Sequence, residues 1–171
     1  MNDDGKAAMN EDSVPTITSR AEFAAAVKWG LQAAAAQGAR QIVFCDADFA
    51  VWPLDDQHLI DGLGRWLRQP QRRLVLLASS FDDVPLRCPR FNAWRRDWAH
   101  AIASFQAPSD LQGKLPSLLL ADKGVSVQLI DAVYWRGRAS LDRRRASQWS
   151  EEIDVVLQRS EAAFGVQTLG L

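Results

Sequence analysis

Apolar positions along the chain come in short blocks, and their period switches between helical and continuous. Phe23, Val27, Leu31 and Ala34 recur at helical spacing behind Ser19 and Glu22, which stand at capping-box separation. A helix is therefore expected from about Arg20 to a stop at Gly38. Residues 41–45 are a continuous apolar run, the pattern of a strand buried on both faces. Asp46, Asp48, Pro53 and Asp55 then mark a loop. Leu59, Leu63, Trp66 and Leu67 predict a second helix over about 56–68, ended by Pro70. Residues 74–78 read as a second buried strand, and 90–105 as a third helix with Phe91, Trp94, Trp98, Ile102 and Phe105 on one stripe. Residues 118–121 and 125–130 form two strands around the turn Asp122-Lys123-Gly124, a hairpin signature. Residues 133–135 read as a short continuation after a bend, and 148–163 as a last helix.

Strands alternate with helices, so the expected class is α/β. The hairpin makes the sheet mixed, with helices on both faces. At 171 residues, with 47% hydrophobic and 24% charged side chains, the composition is that of one globular domain. Residues 1–15 read as a disordered acidic tail and 16–171 as a single α/β domain. No apolar run is long enough to span a membrane. The polar, acidic N-terminal stretch lacks the pattern of a secretory signal, so a cytoplasmic protein is expected.

The net charge of −1 conceals an asymmetry. Residues 1–63 carry 4 basic and 10 acidic side chains, residues 64–145 carry 15 and 7, and residues 146–171 carry 1 and 4. The basic centre is mostly arginine, which suits phosphate or carboxylate. The near-neutral total argues against strong non-specific nucleic-acid binding. Arg90, Arg95, His100, Arg136 and Arg138 are the candidate anion contacts. Trp94, Trp98 and Trp135 are candidate stacking or interface groups, since seven tryptophans against one tyrosine is a high content and tryptophan is favoured at interfaces; the plain alternative places the tryptophans in the core with the arginines stacked over them.

Other chemistries are poorly supplied. Two cysteines, Cys45 and Cys88, and two histidines, His58 and His100, provide neither a disulfide framework nor a metal site by spacing. No glycine-rich phosphate loop or nucleophile elbow occurs. Asp46-Ala47-Asp48 follows a buried strand and resembles the first motif of the haloacid dehalogenase-like phosphatases, with Ser79 mimicking the second. That resemblance implies a Mg²⁺-dependent phosphatase using Asp46 as nucleophile and Asp48 as acid/base. Against it, position 50 is Ala, and no late acidic pair completes the magnesium ligands. The plain alternative is a loop of helix-capping aspartates.

The stretch Leu115-Pro116-Ser117-Leu118-Leu119-Leu120-Ala121-Asp122-Lys123-Gly124, followed by an apolar strand and Asp131-Ala132-Val133-Tyr134-Trp135, resembles one half of the phospholipase D-like superfamily. That family carries His-x-Lys-x-x-x-x-Asp on a strand, then a Gly turn, a second strand and a Gly-Ser-x-Asn-Trp segment. The likeness covers about 20–165. In this register the family His falls at Leu115, the Lys at Ser117 and the Asn at Tyr134; Asp122 alone is retained. Leucine cannot attack phosphorus and serine cannot supply positive charge. The resemblance thus implies a degenerate, non-catalytic member of the bacterial type, needing no cofactor. It would act as a binding or assembly module for phosphate-containing ligands or nucleic acid, and plausibly as a homodimer.

Overall fold

The computed structural model describes residues 14–165, so the acidic stretch lies, except for Val14 and Pro15, outside the described residues. The strands are β1 (Thr16–Ile17), β2 (Gln41–Asp46), β3 (Arg73–Ala78), β4 (Ile102–Gln106), β5 (Ser117–Ala121), β6 (Ser126–Asp131), β7 (Arg136–Ser140) and β8 (Glu161–Ala162). The helices are α1 (Arg20–Ala36), α2 (Gln57–Leu67), α3 (Val84–Arg87), α4 (Pro89–Asp97) and α5 (Arg143–Gln158). All eight strands join one mixed sheet in the order β1-β7-β6-β5-β2-β3-β4-β8. β2, β3 and β4 run parallel, and the other neighbours pair antiparallel.

The local chemistry of each element is visible in its ends. Ser19 caps α1 by accepting the Glu22 N–H, while Glu22 accepts from the backbone and hydroxyl of Thr18. Asp56 caps α2 through the His58 and Leu59 N–H groups, and its carboxylate pairs with Lys28 at 2.8 Å. Lys28 holds the Asp56 carboxyl below its ordinary value. The three central strands β2, β3 and β5 are almost wholly buried, as continuous apolar runs require. Helices α1 and α2 cover one face over a core that includes Phe23, Leu31, Phe44, Leu63, Leu74 and Leu119. On the other face α5 lies against β5, over a core that includes Val43, Cys45, Leu77, Leu118 and Ile153.

Three sequence expectations change. The helix expected over 90–105 stops at Asp97, and the chain turns into β4. Phe91 and Trp94 belong to the helix, but Ile102 and Phe105 pack on opposite faces of the sheet, as an odd separation on a strand dictates. Residues 133–135 are the turn of the β6–β7 hairpin, and the strand itself is the next segment, Arg136–Ser140. It escapes a hydrophobicity reading because it alternates arginine with glycine and alanine. Gly137 is obligatory there: a Cβ would stand 2.5 Å from the Gln128 carbonyl oxygen. The last helix begins at Arg143 rather than 148, because Asp142 caps it by accepting the Arg144 N–H. Three arginines in its first turns hide that start from an apolar pattern.

Candidate functional site

The residues of interest gather at two places, the edge formed by the C-terminal ends of β2 and β3, and the hairpin β6–β7. At the edge, β2 and β5 pair antiparallel with Cys45 opposite Leu118, so one further step sets Asp46 against Ser117. The buried Trp52 lies over this point. Its indole N–H donates to the Ser117 hydroxyl at 2.9 Å. Around it runs an unbroken row of rings. Trp135 meets Phe23 at 6.3 Å, Phe23 meets Trp52 at 5.8 Å, and Trp52 meets Phe49 at 5.3 Å. Phe49 meets Phe81 at 6.2 Å, and Phe81 stacks on Phe164 at 4.9 Å. An arginine closes each end: Arg20 stands 5.8 Å from the Trp135 ring and Arg95 stands 3.4 Å from the Phe164 ring.

Asp46 builds this row. Its Oδ2 accepts the Phe49 N–H at 2.7 Å and the Asp48 N–H at 3.2 Å. The turn it holds puts Phe49 at φ 60, a left-handed conformation that a bulky side chain adopts only under constraint, and aims the ring inward. Asp48 accepts the Ala50 N–H and faces Arg87 at 3.7 Å. Ser79, at the end of β3, has a buried hydroxyl with no hydrogen-bond partner. Among the described residues no three His, Cys, Asp or Glu side chains come together as a metal-binding set. Both thiols lie deep. Burial, and then the Asp46 carboxylate, push Cys45 up to about 12, and burial, followed by the Asp55 carboxylate, raises Cys88.

The three motif positions lie apart. Ser117 faces Trp52, Leu115 packs with the α5-side core, and Asp122 sits beyond the other end of β5. There both Asp122 oxygens accept the Arg40 N–H, at 3.1 and 3.3 Å, anchoring the entry to β2.

The arginine candidates also divide. Arg95 is buried on α4, donating to the Phe164 carbonyl at 2.7 Å and to Asn92 at 3.2 Å. Its burial, and then Arg96, lower it to about 10. It is a packing arginine with no face toward solvent. Arg90 is exposed at the start of α4, where its backbone N–H donates to Asp55. Trp94, Trp98 and His100 follow as a separate aromatic run, with ring separations of 6.5 and 5.8 Å.

Arg136 and Arg138 are elsewhere. β7 lies four places from β3 in the sheet, roughly 19 Å at ordinary strand spacing. Gly137 faces Ile17 on the α1 side, so Arg136 and Arg138 point to the opposite face. α5 packs on β5, and both arginines are exposed, with no carboxylate in salt-bridge reach among the described residues. Gln128 stands directly across from Arg138, and Ile130, Val133 and Tyr134 project at 62%, 81% and 71% exposure. Trp135 turns the other way, half-buried, with φ 55.

Sequence reasoning missed the roles of Trp52, Phe49, Phe81 and Phe164. The available signal was the placing of Phe49 and Trp52 in a loop directly after a buried strand, where a cleft would need small or polar groups. Compared with known protein families, curated proteins and solved structures, the chain gives no match. No helix among the described residues is long and apolar enough to cross a membrane.

Proposed function

We propose that the chain is a phospholipase D-like half without turnover, acting as a binding module for phosphate-containing ligands, nucleic acid among them, through the basic face of β6 and β7. One observation carries the non-catalytic part: the Trp52 indole lies on Ser117 and is hydrogen-bonded to it, so the place where a phosphate would be held is filled by core packing. An oxyanion-stabilising site needs preorganised donors aimed at a vacant position. Here the Trp52 indole N–H is directed at a serine hydroxyl, and Leu115 faces a different core. The binding part is supported by Arg136 and Arg138, two exposed guanidiniums two residues apart with no salt-bridge partner among the described residues.

The magnesium phosphatase reading has Ser79 and the position of Asp46 in its favour. It lacks a third carboxylate at the site, and Asp46 is engaged in holding the Phe49 turn. Turnover of bis(p-nitrophenyl) phosphate and p-nitrophenyl phosphate, with Mg²⁺ and with EDTA, separates the readings. Wild type and Asp46→Asn are both expected to stay at the buffer rate. Mg²⁺-dependent turnover lost in Asp46→Asn would replace the proposal with the phosphatase. Metal-independent diester cleavage would overturn it in favour of an active phosphodiesterase.

A further inference from the structure

A second concavity lies away from both regions, in the seam between α1 and α2. The two helices run side by side, tied at one end by the Lys28–Asp56 pair and at the other by the Trp66 indole donating to the Ala39 carbonyl at 2.9 Å. Between these ties two small residues, Ala35 on α1 and Gly62 on α2, line the seam. Gly62 is in contact distance of Leu31, and a Cβ there would stand 3.0 Å from its methyl. The result is a groove of about 760 Å³, inside the range of about 300–1,000 Å³ typical of small-molecule sites. Its floor is apolar and rigid, made of Leu31, Leu59 and Trp66, all buried members of the core.

Its rim is cationic at one end. Arg65 and Arg72 both line it, and neither has a carboxylate in salt-bridge reach among the described residues. Arg72 donates one N–H to the Pro70 carbonyl at 3.0 Å, while its Nε is buried without a partner. A guanidinium that spends one N–H on a backbone carbonyl keeps further donors for an anion. The one acidic side chain on the rim, Asp61, accepts from Gln57 at 2.8 Å. An apolar floor with two arginines on the rim suits an apolar body carrying a carboxylate or phosphate. We infer that the α1–α2 groove is a binding site for a small organic anion with an apolar body, its oxyanion met by Arg65 and Arg72. This site is separate from the β6–β7 face and does not depend on the reading given for it.

The test titrates the ¹⁵N-labelled full chain with 2-naphthoate, and with the neutral 2-naphthylmethanol, following backbone amide shifts. Saturable shifts are expected for 2-naphthoate on α1, on α2 and at Arg72, with the neutral analogue binding about tenfold or more weakly, the size of a lost charge-assisted hydrogen bond. Arg65→Glu should weaken 2-naphthoate by a similar factor. Ala35→Trp, at an exposed rim position that leaves the core intact, should abolish the shifts. Equal affinity for the neutral analogue would overturn the proposal, as would shifts confined to other elements, no shifts at all, or an unaffected Ala35→Trp chain. So would sedimentation showing that Arg65→Glu splits a dimer, which would make a second copy of the chain the occupant.

Discussion

The two regions where this sheet could meet a ligand are built in opposite ways. At the ends of β2 and β3, loop residues fold inward: Phe49, Trp52 and Phe81 are buried, and Asp46 and Ser117 serve the packing. At β6–β7, the hairpin projects: Ile130, Val133 and Tyr134 stand in solvent, and two exposed arginines have no salt-bridge partner among the described residues. The first region therefore contributes directly to the packing of the core, whereas the exposed side chains of the second carry little of it. In an α/β sheet the crevice beyond the strand ends is where ligands usually bind. Here a row of rings fills that place, and the proposed binding face is the sheet's open flank.

The largest expected effect breaks the sealed edge. Trp52→Ala removes a buried ring and leaves the Ser117 hydroxyl without its donor. A loss of about 3–5 kcal/mol is expected in chemical denaturation, against less than about 0.5 kcal/mol for Tyr134→Ala on the hairpin. Similar losses at both positions would erase the distinction between the two regions.

Alkaline titration probes the burial of the opposite face, under α5. Cys45 lies under α5, with its folded value near 12 against an ordinary thiol value of 9.0. A raised folded value means that the folded chain binds more protons than the unfolded chain between these limits. Stability is therefore complete below about pH 9 and falls as the pH rises toward 12, by at most about 4 kcal/mol. Cys45→Ala should remove this part of the slope. Neither thiol should react with Ellman's reagent at pH 8 until the chain unfolds.

A smaller effect is expected where the sealing loop ends. Asp56→Ala removes the α2 cap and the Lys28 partner, for about 1 kcal/mol measured by denaturation. Because Lys28 lowers the Asp56 carboxyl, its contribution is present above the ordinary aspartate range and is lost as the pH falls through the lowered folded value. The Asp56→Ala chain should lack that acid-side loss.

These contrasts also mark what could be read in the chain. The class, the mixed sheet and the helices α1 and α2 follow from apolar period and caps, because burial and capping are local in sequence. Strand β7 does not, since its stability comes from backbone pairing with β6 and β1 and not from its own apolar residues. The candidate arginines were legible as residue types only. That Arg95 lies beneath Phe164 while Arg138 lies open depends on contacts across 69 residues in one case and on strand pairing in the other. The Trp52–Ser117 bond spans 65 residues and left no local mark.

The smallest stability effect belongs to the pair Arg136→Glu and Arg138→Glu, expected within about 0.5 kcal/mol of wild type because both side chains are exposed. The same double variant tests the division between the regions most directly. Fluorescence anisotropy of a labelled single-stranded oligonucleotide, titrated with wild type, the double variant and Arg90→Glu at several salt concentrations, reads which arginines meet phosphate. Loss of binding and a salt slope shallower by about 1.4 in the double variant, with Arg90→Glu near wild type, is the outcome the open flank requires. Undiminished binding in the double variant, or loss only in Arg90→Glu, would contradict it.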